Sequence, residues 1–177
     1  LRDIVANLAE SWNLPADVVD YVRFQCYWLN TLVDRIVVAG PADHPLAGKD
    51  PLLVMAEPFQ FFALQSKPCA DQFVEHPAIV RTPDVRPYFL RKVRILNAAH
   101  TALVTRARTR NYDTVIQAMR DKELSDWLYR LLHEEIVPAI RDDVEGATPF
   151  AEQTIERFRN PFLAHKIADI LKNHEMK

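Results

Sequence analysis

Apolar positions recur at helical spacing from the start of the chain. Ile4, Leu8 and Trp12 predict a helix over 3–12, which Asn13-Leu14-Pro15 ends. A second helix is expected from Pro15, carried by Val18, Val19, Val22 and Cys26. The pattern then turns β-like from Asn30 to Val38, closed by Gly40-Pro41, and a loop rich in proline, glycine and charge follows over 41–51. Two strands are read in "PLLVMAE" and "FQFFALQ", broken at Pro58. Residues 66–87 hold Pro68, Pro77, Pro83 and Pro87, which predicts an irregular connection.

After Pro87 the period is helical throughout. Helices are expected over 88–106, over 112–119, and from 122 to 132 or beyond, with "EEIVPAI" continuing or kinking at Pro138. Another is read over 150–158. Asn160-Pro161 has the form of an N-cap followed by proline at the first helical position, starting a last helix toward Lys172. No internal repeat or low-complexity tract interrupts this order.

The helix over 88–106 carries the candidate chemistry. At about 100° per residue, His100 lies near 80° from Lys92 and Asn97 near 140°. Phe89, Val93, Leu96 and Leu103 are read as its apolar stripe, with His100 at the centre and Lys92 and Asn97 on either side. A lysine, an amide and an imidazole facing apolar space can bind and polarise a carbonyl. The plainer reading is a hydrogen-bonded core histidine beside a lysine that reaches out to water.

Composition is that of an ordinary soluble chain: 49% hydrophobic and 26% charged over 177 residues, with a net charge of −2. That balance argues against a dedicated nucleic-acid or membrane partner. No apolar run reaches the roughly 18 residues of a membrane span. Cys26 and Cys69 stand in no metal-type spacing and read as reduced thiols of a cytoplasmic protein. His133-Glu134-Glu135 is not H-E-x-x-H, and His44, His76 and His174 share no ligand spacing, so no metal site is expected. The three glycines, Gly40, Gly48 and Gly146, form no G-x-G-x-x-G turn.

The run "RKVRILNAAHTALV" resembles the catalytic helix of the long-chain, metal-independent polyol and uronate dehydrogenases, the mannitol dehydrogenase family, with its Lys-x4-Asn-x2-His pattern at Lys92, Asn97 and His100. "NTLVDRIV" and "RFRNPFLAH" resemble two further segments of that family, in the same order. The resemblance implies a mainly α architecture: a multi-helical C-terminal substrate domain over 83–177, preceded over 1–82 by the mixed α/β tail of a Rossmann-type cofactor domain. It also implies NAD as cofactor and a small sugar acid or polyol as substrate, with the hexuronate branch the nearest match. Because the glycine fingerprint is lacking and the chain opens with Leu1, the remainder of the Rossmann domain is expected to precede it in cis.

Within that resemblance, Lys92 is the expected acid–base group, with Asn97 and His100 as hydrogen-bond donors to substrate oxygens. A lysine titrates at about 10.4, so a lysine base at neutral pH requires burial or neighbouring cations. Arg157, Arg159 and His165 are expected substrate contacts, since arginine binds a uronate carboxylate through paired hydrogen bonds and a helix beginning at Asn160-Pro161 would add its dipole. Composition alone would make them a solvated basic face. Asn30 and Asp34 are expected near the nicotinamide ribose or the lysine; the plainer reading pairs Asp34 with a surface cation.

A rival of another class is anion or RNA binding by segment 81–110. It holds Arg81, Arg86, Arg91, Lys92, Arg94, Arg106, Arg108 and Arg110 against the single acid Asp84. A second is an interaction domain that kept the fold and lost the chemistry.

Overall fold

Helices dominate the computed structural model, which describes residues 1–68 and 75–172. Cys69 and His174 lie outside the described residues. The chain opens with helix α1 (Arg2–Ser11) and helix α2 (Ala16–Asp20), the latter running on through a π turn over Tyr21–Gln25. Asn13 takes the left-handed conformation, at φ 53°, in the break between them.

The β-like run from Asn30 to Val38 is two strands, not one. β1 (Thr31–Asp34) and β2 (Val37–Ala39) part at Arg35-Ile36 and enter different sheets. β2 pairs antiparallel with β3 (Val54–Ala56), setting Val37 against Ala56. β1 pairs antiparallel with β4 (Phe61–Gln65), setting Asp34 against Phe61. β4 in turn pairs in parallel with β5 (Ile79–Thr82), Phe62 lying against Ile79. β5 falls inside the stretch expected to be irregular. Its four residues are proline-free, and Pro77 and Pro83 only bracket them.

One long helical run follows: α3 (Arg86–Arg91), a π turn over Lys92–Asn97, and α4 (Ala98–Arg108). α5 (Val115–Arg120) starts at a complete capping box, where the Thr114 side chain and Gln117 each bond the other's backbone N–H. Asp121 then caps α6 (Lys122–Arg130), accepting from the N–H groups of Glu123 and Leu124. A π turn over Leu131–Ile136 carries this helix into α7 (Val137–Ile140), so the run continues through Pro138. α8 (Ala147–Phe158) begins three residues before the expected Phe150, and Gly146, whose φ is 71°, precedes it as the N-cap. α9 (Ile167–Leu171) is short.

Asn160-Pro161 starts no helix. Asn160 Oδ1 accepts from the Phe162 N–H at 3.0 Å in a tight turn, and α9 begins only at Ile167. The helix dipole expected beside Arg157 is therefore absent from that position.

The main core lies among the helices. Ile95, Ala99, Leu103 and Ala107 are fully buried along one row of the α3–α4 run, packed with Leu124, Leu128, Leu132, Ala151 and Ile155. This row corrects the expected stripe: Phe89 is half exposed, and small alanines form part of the buried face. Among the described residues, no helix is long and apolar enough to cross a membrane.

Candidate active site

The site starts at the free edge of β1. In an antiparallel pair only alternate residues exchange hydrogen bonds with the neighbouring strand. Gln65 donates its N–H to the Asn30 carbonyl at 2.9 Å, so the bonded phase runs through Asn30, Leu32 and Asp34. Val33 therefore turns its carbonyl away from β4, and Lys92 Nζ donates to that oxygen at 2.7 Å. A strand edge 59 positions earlier in the chain thus holds the lysine head group.

Lys92 opens the π turn. Within it the Ala98 N–H donates to Val93 O, five residues back. Bonds of this reach bring residues five apart nearer the same side of the helix than the roughly 140° of an α-helix, so Lys92 and Asn97 are less opposed than expected. Asn97 is exposed and borders an open cleft of about 680 Å³, with Val93, Thr101, Thr105, Arg106 and Trp127 among its other lining residues.

His100 is buried in the helical core, as the pattern suggested. Its ring lies 4.0 Å from that of Phe158 and 4.9 Å from that of His165, the latter edge-on. The fold thus joins His100 and His165, which the sequence separates. Burial pushes the His165 imidazole below its usual value, against opposing attraction from Asp169 and Glu57.

Arg157 sits on the buried face of α8, and its guanidinium joins three chain segments. Nη2 lies 2.8 Å from Asp34 Oδ1 and 2.7 Å from Glu57 Oε1; Nη1 is 3.2 Å from Asp34 Oδ2, and Nε is 3.1 Å from Glu57 Oε2. The Phe59 ring lies 4.2 Å from the guanidinium carbon. Burial works against the charge, but the hydrogen bonds that Arg157 donates to Asp34 and Glu57 outweigh it and raise the Arg157 pKa. Glu57 also accepts from the Ile36 N–H at 2.6 Å.

The plainer readings change here. Arg157 is no solvated cation, because two buried carboxylates balance its charge, and Asp34 is no surface ion pair, because its partner is the buried Arg157. Arg159 is exposed and donates to Ser125 Oγ at 2.8 Å, while Asn30 stands exposed at the start of β1.

Sequence reasoning missed Glu57 and Val33. Glu57 had a signal, being a lone acid between the apolar runs "LLVMA" and "PFQFF". Val33 had none, since its contribution is a backbone oxygen. The basic segment 81–110 is also dispersed. Arg106 lies 3.8 Å from the Trp127 ring, and Arg110 pairs with Asp121 and Glu123 at 2.7 Å each. Residues 105–110 run from the end of α4 into a turn, so Arg106, Arg108 and Arg110 do not line up.

A dinucleotide needs a glycine turn whose N–H groups reach its pyrophosphate. A Cβ on Gly40 would lie 2.5 Å from Leu53 Cγ, which marks a packing position, and Gly146 faces Arg91. No such glycine turn is found among the described residues. Among the described residues, no group of three or more His, Cys, Asp or Glu is placed to hold a metal ion.

A mainly helical unit that sets a lysine, an amide and a histidine on one helix, beside a small mixed sheet, defines the class: the C-terminal domain of the polyol dehydrogenase fold. Residues 84–176 match the mannitol dehydrogenase C-terminal domain, and the chain belongs to that family. It is 34% identical over 179 residues to the altronate oxidoreductase of Halalkalibacterium halodurans, covering 96% of this chain and 35% of that protein. It is 36% identical over 183 residues to the altronate oxidoreductase of Yersinia enterocolitica, covering 98% and 38% respectively. The chain thus spans little more than a third of the length of these relatives.

Two solved structures share the fold. Pseudomonas fluorescens mannitol 2-dehydrogenase, in a ternary complex with NAD and D-mannitol, has a TM-score of 0.71 at 24% identity, over 92% of this chain and 35% of that one. A substrate-free D-sorbitol dehydrogenase has the same TM-score, 0.71, at 22% identity, over 91% and 35%.

Proposed function

We propose that this chain is the C-terminal catalytic part of an NAD-dependent oxidoreductase that interconverts a keto-hexuronate and its sugar acid, of the tagaturonate/altronate type. The observation that carries the reading is the Lys92 ammonium held at the β1 edge beside Asp34, on the helix that also bears Asn97 and His100. Kinship with altronate oxidoreductases over nearly all of the chain supports the substrate class.

Reducing a ketone needs a hydride and a proton. The hydride would be the nicotinamide's contribution. Lys92 gives the proton to the carbonyl oxygen in reduction and takes it from the hydroxyl in oxidation. Asn97 and His100 direct N–H donors at the substrate oxygens and hold the reacting carbon in place. Arg159 and His165 contact the substrate from the far wall, and Arg157 fixes β1 and Asp34 against α8. The remaining dinucleotide-binding portion acts in cis, and the enzyme works in the cytoplasm on a small molecule, without metal.

A substrate screen on the enzyme with its cofactor-binding portion tests this. Oxidation of altronate well ahead of neutral alditols is the expected result. Equal rates on mannitol would assign a polyol 2-dehydrogenase instead, and preference for the epimer mannonate would assign a fructuronate reductase.

A further inference from the structure

A sugar acid needs a partner for its carboxylate, and most arginines near the site are already engaged. Arg157 is balanced by Asp34 and Glu57, Arg110 by Asp121 and Glu123, and Arg106 lies over Trp127. Arg91 differs. Its guanidinium makes no hydrogen bond or ion pair among the described residues; it is held by three rings, Phe61 at 5.5 Å, Tyr88 at 5.4 Å and Phe150 at 4.7 Å. Aromatic faces attract the charge, but they accept none of the in-plane hydrogen bonds for which the guanidinium has five donors.

The residue is half-buried and opens into a cleft of about 460 Å³, bordered by Thr82, Asp84, Tyr88, Glu145 and Gly146. A side chain at position 146 would reach the guanidinium, since a Cβ there would lie 3.7 Å from Arg91 Nη1. Burial lowers the Arg91 pKa, against attraction from Tyr88 and Asp34. Its desolvated charge gains more from an incoming anion than a solvated one would. Asp84 and Glu145 are exposed on the border of the cleft. Their negative rim weighs against any anion, and most against a multiply charged one such as phosphate, so the attraction comes from the Arg91 guanidinium alone.

Position ties the cleft to the chemistry. Arg91 precedes Lys92 on the helix, Phe61 is the β4 partner of Asp34, and Asp34 follows the Val33 carbonyl that holds Lys92. We propose that Arg91 is the residue that binds the substrate carboxylate, seating it in this cleft while the carbonyl lies at Lys92. This inference rests on the sugar-acid reading above. It names the residue by which that site tells a sugar acid from a neutral polyol.

The test is titration of the chain with altronate and, separately, with altritol, its uncharged counterpart, followed by NMR of the arginine Nε–H groups. Altronate should shift the Arg91 Nε–H resonance, and altritol should leave it in place. Arg91→Met should weaken altronate binding about 10–150-fold, the loss expected for a charge-assisted pair, without changing altritol binding. Arg91→Lys, which keeps the charge but not the fork, should recover part of the loss. Altronate binding that survives Arg91→Met, or an Arg91 resonance that altronate does not move, overturns the inference. If altronate is still preferred over altritol in either case, only Arg91 falls and the sugar-acid reading stands. If altritol binds the unaltered chain as tightly as altronate, the sugar-acid reading falls too. Should Arg91→Met fail to fold, the resonance shift in the unaltered chain decides.

Discussion

Arg157 Nη2 lies 2.8 Å from Asp34 Oδ1, across 123 residues of sequence, and the pair is buried. With Glu57 it joins β1, the turn after β3 and α8 at the point where Lys92 meets the sheet. Removing one partner from such a group leaves an uncompensated charge inside the protein.

Arg157→Met should therefore destabilise the fold by about 3–5 kcal/mol, because Asp34 and Glu57 both stay buried. Urea unfolding measures this directly. A loss below about 1 kcal/mol, the range of an exposed pair, would mean that water reaches the cluster in solution.

Lys92→Ala should lower turnover by about 10²–10⁴-fold in the enzyme joined to its dinucleotide-binding portion, with far less change in KM. The fall in alcohol oxidation toward low pH, where the base is protonated, should disappear as well, and a small added amine should restore part of the rate. Asn97→Ala and His100→Ala should reduce turnover but leave that fall in place. Near-normal turnover in Lys92→Ala, with an unchanged pH profile, would make the lysine a strand-edge clasp and nothing more.

His165 sets a pH dependence of stability. Burial depresses its folded-state value below the usual imidazole value near 6.5, so the unfolded chain binds the proton more readily. The contribution is present above about pH 6.5 and is lost as pH falls toward the folded-state value. Urea midpoints should drop between pH 7.5 and 5.5, and His165→Gln should flatten that drop. An equal drop in the variant would place the titrating group elsewhere.

The chain alone should bind NAD weakly or not at all, since its glycines occupy a packing contact, an open loop and a helix start, with no pyrophosphate cradle among them. Calorimetry that found micromolar affinity would contradict this.

Much of the architecture could be read along the chain, because local patterns respond to local forces. The 3.6-residue period after Pro87 marked the helical run, including the helix that starts at 122. One failure was decided by a neighbour distant in sequence: β5 forms because β4 offers it a parallel edge. Asn160-Pro161 instead closes a local turn, with the Phe162 N–H on Asn160 Oδ1.

The candidate site divides the same way. Lys92, Asn97 and His100 were recognisable in sequence because they share one helix, so their spacing survives folding. Three other features were settled by tertiary packing: the Val33 carbonyl under Lys92, the two carboxylates that occupy Arg157, and the aromatic seat of Arg91. The physical reason is range. Helical period and capping act within a few residues, whereas a buried charge takes whatever partner the whole fold brings within hydrogen-bond distance, and for Arg157 those partners lie 100 and 123 positions away.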